Sequence, residues 1–330
     1  IETEQALYRH GLRAPRISAQ ATFDGRGRVI DLFATVYREI DDEHGFGVRN
    51  RFARDGTPLR LVDYAQPEGA DVAQATLAYR QPLFGGTLRL NGLIQDKRKF
   101  ADIAHAVTFP APDAIVGSER KHSRTYEAGV RYERALGPAD DLELVGSYRS
   151  VATVGLDRES TASESSVSDE RSNASEAILR AALRHHRGGA TIEIGAEGAV
   201  NSLDGRNALI EDGEPVPLPQ ANVRVAERRA ELFVTASRPL GARTVAELGI
   251  RYEMSRLSQT GDIDLVKSFA FWKPRARLVW TPTPNRTFRL LAERAVGQLD
   301  FDDFVGAASL TSGTISAGNA DLEPDSLWRI

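Results

Sequence analysis

The sequence predicts an all-β protein, an antiparallel up-and-down transmembrane β-barrel of about 14 strands. Two observations predict this fold class. Runs of about ten to thirteen residues alternate apolar and polar side chains, as a strand does when its two faces meet different surroundings. The connections between these runs are alternately very short and very long. Outer-membrane barrels have the same arrangement, with short periplasmic turns and longer extracellular loops.

The alternation is clearest in residues Thr244–Arg256. Every second side chain there is apolar, and Glu247, Arg251 and Glu253 stand between them. A tilted strand needs about 9–11 residues to cross a bilayer, so one face of this strand fits lipid and the other fits a wet interior. The side chains that we expect to face lipid, here and in the strand that begins near Ala190, are Leu248, Ile250, Tyr252, Ile192 and Ile194.

Strands of this kind follow one another along most of the chain. The predicted strands, of which the first two are the weakest, are Glu2–Arg9, Arg16–Phe23, Arg28–Ile40, Val72–Gln81, Thr87–Lys97, Ser123–Arg134, Leu142–Val154, Ala174–His186, Ala190–Ser202, Val225–Ser237, Thr244–Leu257, Phe269–Thr281, Thr287–Ala295 and Asp325–Ile330.

The connections divide into two classes by length. The short ones are rich in Gly, Pro and Asp, as tight turns require, and they are Asp24–Gly27, Pro82–Gly86, Ala135–Asp141, Arg187–Gly189, Arg238–Arg243 and Pro282–Arg286. The predicted long loops are Asp41–Asp71, Arg98–His122, Gly155–Asn173, Leu203–Arg224, Ser258–Ser268 and Val296–Pro324. An aromatic girdle is predicted near the short turns, formed by Phe23, Tyr79, Phe84, Tyr132, Trp280 and Phe288.

The composition excludes several classes of protein. With 41% hydrophobic and 27% charged residues, and no stretch near 18 uninterrupted apolar residues, the chain is not a helical membrane protein. The net charge of −4 and the lack of a Lys/Arg block argue against nucleic acid as a partner. Without cysteine there is no disulfide, thiolate metal site or cysteine nucleophile. No signal peptide is visible at Ile1.

The polar face of the predicted strands interleaves charges of both signs. In a water-filled lumen these residues would form cross-strand pairs, each contributing about 0.2–1 kcal/mol; a substrate path is the alternative interpretation. The charged positions are Asp31, Glu127, Arg131, Glu133, Glu143, Glu193, Glu197, Glu227, Arg229, Glu231, Glu247, Arg251, Glu253, Arg275, Arg277, Arg289 and Glu293.

Other candidate sites carry weaker signals. A metal site would need histidines and carboxylates to converge, whereas a solvated loop is the simpler interpretation of His44, His105 and His122. The acidic clusters Asp300–Asp303 and Asp262/Asp264 lack the spacing of a calcium loop. No hydrolase, phosphate-loop, dinucleotide or zinc-protease motif occurs. The sequence therefore predicts no enzyme and assigns no catalytic, cofactor-binding or metal residue, and the ligand-binding residues stay unassigned.

The C-terminal part of the chain carries a more specific pattern. Residues 271–290 read Phe-Trp-Lys-Pro-Arg-Ala-Arg-Leu-Val-Trp-Thr-Pro-Thr-Pro-Asn-Arg-Thr-Phe-Arg-Leu, which predicts a strand, a turn and a second strand. Residues 318–326 read Gly-Asn-Ala-Asp-Leu-Glu-Pro-Asp-Ser. This order resembles that of TonB-dependent receptors of the Gram-negative outer membrane, in which Lys-Pro-Arg, Thr-Pro and Gly-Asn-x-x-Leu-x-Pro-(Glu/Asp)-Ser recur in the mid barrel. Asp325 stands where glutamate is commoner.

The resemblance implies that residues 1–330 form one partial receptor barrel domain. Large outer-membrane transporters have 22 strands and a plugged lumen, so it implies roughly eight further strands and an N-terminal plug outside this chain. No TonB-box candidate occurs in the sequence. The implied function is active transport across the outer membrane: a scarce extracellular ligand is bound and imported with TonB energy coupling. The implied partners are outer-membrane lipid, TonB through the plug, and a small molecule such as a siderophore, carbohydrate or cobalamin, or a peptide.

Two other functions stay open. A passive outer-membrane porin would have the same wall without a plug, and a soluble all-β binding module would also alternate. Under the receptor hypothesis, the long loops and the upper lumen are the expected ligand contacts, since the outward faces meet lipid and the short turns are too small for a pocket. The loops expected to bind ligand are Arg98–His122, Gly155–Asn173, Leu203–Arg224 and Val296–Gly318.

Overall fold

The computed structural model describes residues 2–6, 13–40, 45–310 and 314–330. Nearly all of its regular structure is β-strand, and a short 3₁₀ helix lies at Asp302–Phe304. The strands are β1 (Glu2–Ala6), β2 (Arg16–Gly25), β3 (Arg28–Ile40), β4 (Phe46–Phe52), β5 (Pro58–Ala65), β6 (Glu68–Leu83), β7 (Gly86–Phe109), β8 (Asp113–Ala135), β9 (Asp140–Ser160), β10 (Ser165–Arg187), β11 (Ala190–Glu211), β12 (Glu214–Val216), β13 (Asn222–Gly241), β14 (Thr244–Gly261), β15 (Leu265–Thr283), β16 (Arg286–Val296), β17 (Ala307–Ser309), β18 (Thr314–Ser316) and β19 (Ser326–Arg329).

Seventeen of these strands form one sheet, and β17 and β18 form a separate small hairpin. The main wall runs β2, β3, β6, β7, β8, β9, β10, β11, β13, β14, β15, β16 and β19, and every neighbouring pair is antiparallel. This order confirms the predicted meander. Among the described residues β2 pairs only with β3, and β19 pairs only with β16, so the wall is open. No helix in the described part of the chain is long and apolar enough to cross a membrane.

The strands extend much further than predicted, which makes most of the predicted long loops wrong. Arg98–His122 belongs to β7 and β8, which are 24 and 23 residues long and remain paired up to Val107 and Asp113. Gly155–Asn173 belongs to β9 and β10, and Leu203–Arg224 contains the end of β11, β12 and the start of β13. The reason is that backbone pairing needs no apolar face, so the ladder of backbone hydrogen bonds continues beyond the apolar band.

The predicted loop Asp41–Asp71 contains β4 and β5, which lie in line with β3 and β6; its residues 41–44 lie outside the described part. The first predicted strand is described over Glu2–Ala6. β1 pairs with β4 rather than with β2. It therefore extends the sheet beside β4 and is not an additional strand of the main wall. The predicted loop Ser258–Ser268 is reduced to a short turn between β14 and β15. Only Val296–Pro324 is mainly irregular among the predicted long loops.

The short turns confirm the prediction and explain its residue types. Arg26–Gly27, Phe84–Gly85 and Gly188–Gly189 each place two successive residues at positive φ. Such pairs form the two-residue hairpin turn whose twist matches that of the flanking strands. Glycine occupies the second position in all three turns because it adopts this conformation without steric cost.

The outward face of the wall is apolar, as predicted. Leu248 is 63% exposed, and Ile192, Ile194 and Ile250 are 40–49% exposed, although all four are aliphatic. Tyr252 lies on the same face and packs against Trp272, with ring centroids 4.4 Å apart. Beside the short turns, Trp280 stacks on Phe288 at 5.3 Å, and the Tyr132 hydroxyl donates to the carbonyls of Leu83 and Phe84 at 3.3 Å. These contacts place aromatic side chains where the girdle was predicted.

Candidate functional site

The charged side chains of the strands line the face opposite to this apolar band. Strand pairing brings charges of opposite sign together in register across the wall, because alternate residues of every strand share one face. We call the first set the charge ladder: Arg89, Arg131, Glu133, Glu143, Arg180, Arg184 and Glu193.

The charge ladder is continuous from β7 to β11. Glu133 accepts from Arg89 at 2.5 Å and from Arg131 at 2.8 Å. Glu143 forms ion pairs with Arg131 at 2.7 Å and with Arg184 at 3.4 Å. Glu193 receives Arg184 at 2.5 Å and Arg180 at 2.9 Å. Glu143 is only 7% exposed, and these two arginines are its ion-pair partners among the described residues.

A second charged set crosses β11 to β15. Arg251 donates to Glu231 at 2.8 Å, and Lys273 donates to Glu253 at 2.8 Å and also contacts Glu231. Arg229 lies 3.8 Å from Glu197 and 4.0 Å from Glu253. The wall charges therefore neutralise one another along most of its width, and the prediction of cross-strand pairs is confirmed for these residues.

Phe233 joins the two charged sets. It is 6% exposed, and its ring lies beneath the guanidinium groups of Arg180, at 4.6 Å, and Arg251, at 5.4 Å. A cation above an aromatic face is attracted by the ring quadrupole. The ring has room because its cross-strand partner is Gly195, where a Cβ would lie 2.4 Å from the ring edge. The sequence analysis missed this role of Gly195, since only the strand register shows what lies opposite.

The irregular segment after β16 lies against the upper part of this same face. We call the described residues 297–310 and 314–325 the inner segment. Its anchor is Phe304, which is completely buried among Val223, Val225 and Leu257 of β13 and β14. These three residues alternate with outward side chains, so the inner segment lies on the charged side of the wall and not on the apolar side.

Hydrogen bonds hold the rest of the inner segment to the wall. Asn207 donates to the carbonyl of Gly306 at 2.6 Å, and Gln220 donates to that of Gly318 at 2.6 Å. Lys267 donates to the carbonyl of Leu322 at 3.2 Å. Side chains from β11, from the connection before β13 and from β15 thus converge on one irregular segment.

The Gly-Asn motif at residues 318–326 has a structural role in this attachment. A Cβ on Gly318 would lie 2.2 Å from the carbonyl oxygen of Phe304, so only glycine fits there. The Asn319 amide donates to the carbonyl of Asp303 at 2.9 Å, and its side chain accepts from the Asp321 amide at 2.9 Å. The motif therefore folds the chain back over the 3₁₀ helix.

A cleft of about 600 Å³ separates the inner segment from the upper strands β8 to β11. Cations and carboxylates share its wall, with Lys121 donating to Glu170 at 2.9 Å and Asp300 and Asp302 on the opposite side. Asp157 lies in β9, three residues beyond Val154, at which the strand predicted from the sequence ends. Burial, together with the carboxylates of Glu119 and Glu170, raises the pKa of Asp157 to about 6. The cleft can therefore offer a polar ligand donors and acceptors of both kinds.

The histidines do not converge on one point. His122 bonds Asp96 at 2.7 Å and His185 bonds Asp140 at 2.7 Å, both in strands. His105 stacks edge-on against Tyr64, with centroids 6.0 Å apart. His10 and His44 lie outside the described residues. Across the described ranges no three His, Asp or Glu side chains are grouped as metal ligands.

All four segments expected to bind ligand contribute to this cleft. Gly155–Asn173 supplies Glu170 and Arg171, Leu203–Arg224 supplies Asn207, and Val296–Gly318 supplies the inner segment, whose residues 311–313 are outside the described part. Arg98–His122 contributes Lys121 from its C-terminal end. They meet as strand ends and one folded segment rather than as mobile loops.

Comparison with known proteins supports the fold and not a particular activity. No protein-family model and no curated protein matches the chain. Among solved structures, the unliganded ferric citrate transporter FecA superposes with a TM-score of 0.53 and 13% sequence identity, over 87% of this chain and 44% of FecA. The siderophore receptor PiuA from Acinetobacter baumannii gives a TM-score of 0.42 and 10% identity, over 92% of this chain and 54% of PiuA.

The chain thus spans about half the length of the solved receptors that it resembles. The antiparallel meander of the chain, its short turns with residues at positive φ and its apolar outward face agree with the superposition on the ferric citrate transporter. The chain has the fold of part of an antiparallel β-barrel of the kind found in TonB-dependent receptors.

Proposed function

We propose that this chain forms part of the barrel of an outer-membrane receptor in a Gram-negative bacterium. The receptor binds a scarce extracellular small molecule and imports it with energy supplied through TonB and a plug domain. In this proposal the chain is a transporter wall with no catalytic activity of its own. Siderophores, carbohydrates, cobalamins and peptides all remain candidate ligands, because the cleft carries charges of both signs.

The observation that carries the proposal is the position of the inner segment. In a passive pore, the inner face would be left open for diffusion. Here the inner segment lies on that face, anchored by buried Phe304, and narrows the upper lumen to a polar cleft. A cleft with several polar groups suits selective binding of one ligand class better than unselective passage.

Uptake by cells that carry the full-length gene tests this proposal. The gene is expressed in a Gram-negative host with and without functional TonB, and a panel of labelled ferric citrate, ferric siderophores, cobalamin and oligosaccharides is offered at nanomolar concentration. Receptor function predicts saturable uptake of one ligand class that disappears in the host without TonB.

Each alternative gives a different result. Uptake of many small solutes that does not saturate and does not need TonB would identify a porin. Recovery of the full-length protein in the soluble fraction without detergent would identify a soluble binding module. A vector-only strain controls for the receptors of the host.

A further inference from the structure

We propose that the cleft between the inner segment and the upper strands is selective for a small organic oligoamine, a molecule with at least two protonated amines. This inference names the ligand class of the proposed function and rests on that function. The cleft has a volume of about 600 Å³, which suits a ligand of this size. Arg171 borders the cleft but pairs with Asp169 at 3.1 Å on the outward row of β10. The charged residues that line the cleft from its inner face are Lys121, Arg149, Glu170, Glu176, Asp300 and Asp302.

Both cations of this inner face are already paired with carboxylates of the wall. The Lys121 ammonium of β8 donates to Glu170 of β10 at 2.9 Å. The Arg149 guanidinium of β9 lies 3.3 Å from Glu127 of β8. An anionic ligand would therefore have to compete with wall carboxylates for these donors.

Three carboxylates of the cleft are left without a cation. Among the described residues, Glu176, Asp300 and Asp302 form no ion pair. Glu176 stands directly opposite Arg149 in the strand register, but Arg149 makes its ion pair on the other side, with Glu127. Glu176 belongs to the wall, whereas Asp300 and Asp302 belong to the inner segment. Negative charge therefore faces the cleft from both sides, and a ligand with two separated amines can pair with both.

Asp157 reflects the same shortage of cations at the upper end of the cleft. It lies close to Glu170, which pairs with Gly155 two residues earlier in β9. Burial is the main cause that raises the pKa of Asp157 to about 6, and carboxylates add to it. The charged groups that face it are Glu119 and Lys121 of β8, Glu170 of β10 and Lys99 of β7. The two lysines only partly offset the carboxylates, so an added cation would favour ionised Asp157.

Asp302 shows the same effect from the side of the inner segment. Partial burial raises the pKa of Asp302, and neighbouring carboxylates raise it further. The charged groups around it are Asp300 and Asp303 of the inner segment, Glu170 of β10 and Lys121 of β8. Lys121 again is the cation in this group, and it is already bonded to Glu170.

An aromatic ring accompanies these carboxylates. Phe301 lines the cleft, and its ring meets that of buried Phe304 edge to face, with centroids 6.2 Å apart. This contact holds Phe301 beside Asp300 and Asp302. A cation is attracted both by carboxylates and by an aromatic face, whereas an anion gains from neither. The two kinds of group together favour an alkylammonium ligand.

Isothermal titration calorimetry of the purified full-length protein tests this assignment. The probes are spermine, its fully acetylated and uncharged form, and citrate, each at physiological ionic strength. We compare the wild type with the triple variant Glu176→Gln, Asp300→Asn, Asp302→Asn. The wild type should bind spermine more tightly than either other probe. The triple variant should bind spermine roughly 10- to 100-fold more weakly, since it removes three ion pairs with the ligand.

A matched control removes three exposed carboxylates at the loop-side tips outside the cleft, as Glu164→Gln, Glu211→Gln, Glu214→Gln. This control should bind spermine as the wild type does. An equal loss in the control would indicate general attraction to an acidic surface and would overturn the proposal. So would equal spermine affinity in the wild type and the cleft variant, or wild-type binding of citrate or acetylated spermine that matches that of spermine.

The pH dependence gives a second measurement. The amines of spermine stay protonated between pH 5 and 7.5, while Asp157 loses its proton as the pH rises through about 6. Spermine affinity should therefore increase roughly 2- to 5-fold over this range. Weaker binding at pH 7.5 than at pH 5 would contradict the proposal.

The single variant Glu176→Gln serves if the triple variant releases the inner segment, because Glu176 lies on the wall. It should weaken spermine binding roughly 2- to 5-fold, and unchanged affinity would count against the cleft. Binding is measured without TonB, so the two proposals can fail separately. TonB-dependent uptake of an anionic ligand, without spermine binding, would overturn this inference and leave the receptor function standing. Spermine binding without TonB-dependent uptake would support the ligand class and contradict the transport function.

Discussion

The attachment of the inner segment depends mainly on one side chain, and its removal should release the segment. Phe304 is completely buried against β13 and β14. A buried aromatic side chain removes about 150–250 Å² from water, which corresponds to about 4–6 kcal/mol, and core Phe→Ala changes cost about 3–5 kcal/mol. Each remaining hydrogen bond to the wall contributes only about 0.5–1.5 kcal/mol. Phe304→Ala should therefore raise the equilibrium constant for release of residues 297–325 roughly 100- to 4000-fold.

Limited proteolysis of the folded full-length protein, with fragments mapped by mass spectrometry, measures this release. Thermolysin should cut the variant within residues 297–325 at a dose that leaves the wild type intact, while the strands stay protected. The control is Ile315→Ala on the same segment, where the side chain is 51% exposed, and it should behave as the wild type. Equal protection of Phe304→Ala and wild type would refute the idea that this aromatic side chain holds the inner segment.

Three further predictions concern the wall. Leu248→Arg places a charge on the apolar face and should lower the free energy of folding into bilayers by about 2–4 kcal/mol if the site is near the midplane, whereas Ser237→Arg on the inner face should have little effect. Glu143→Gln leaves Arg131 and Arg184 without a shared carboxylate and should cost about 1–2 kcal/mol in denaturant unfolding, below the value for a fully buried pair because both arginines are partly exposed; Glu127→Gln, at an exposed pair, is the control and should be nearly neutral. The folded-state pKa of Asp157, about 6, lies above its ordinary value, so stability should fall as pH rises from about 4 through 6. Asp157→Asn should then stabilise the protein by about 2–3 kcal/mol at pH 7.5 and by almost nothing at pH 4; the same gain at both pH values would contradict this titration.

The sequence was sufficient to predict the part of the wall that carries the apolar band. In Thr244–Arg256 one face is apolar and the other is charged, so the pairing register of the strand is well determined. A shift of one residue would move every side chain to the other face of the sheet. Arg26–Gly27 and Gly188–Gly189 mark their hairpin turns by residue type alone. These signals are local, and the structure confirms them.

The strand extensions beyond the apolar band could not be predicted in the same way. Residues Ser165–Asp169 read Ser-Ser-Val-Ser-Asp, with no apolar face, yet they pair in register with β9 and β11. Their stability comes from backbone hydrogen bonds to long neighbouring strands, which a pattern of side chains does not reveal. The same composition is typical of loops, which is why these stretches were predicted to be loops.

Contacts between distant parts of the chain also could not be predicted from the sequence. Phe304 packs on Val223 and Val225, about eighty residues earlier in the chain, and no periodicity connects them. Of the charge ladder, Arg131, Glu133, Glu143 and Glu193 were predicted from the sequence, whereas Arg89, Arg180 and Arg184 were missed. The pairing of Glu143 with Arg131 and Arg184 follows only from the strand register. The local sequence feature that marks this anchor is the pair Phe301 and Phe304, which flank Asp302 and Asp303.

The length of β7 and β8 has a consequence for how a ligand would be captured. A strand of 24 residues at about 3.3 Å per residue and a tilt of about 40° rises roughly 60 Å, more than twice the apolar band of about 25 Å. In the proposed outer-membrane location, the wall therefore continues as a rigid collar well outside the membrane. A mobile loop loses conformational entropy when it closes on a ligand, whereas a paired strand has already lost that entropy during folding. A ligand that enters this collar meets groups already in position, so most of its binding free energy is available for affinity.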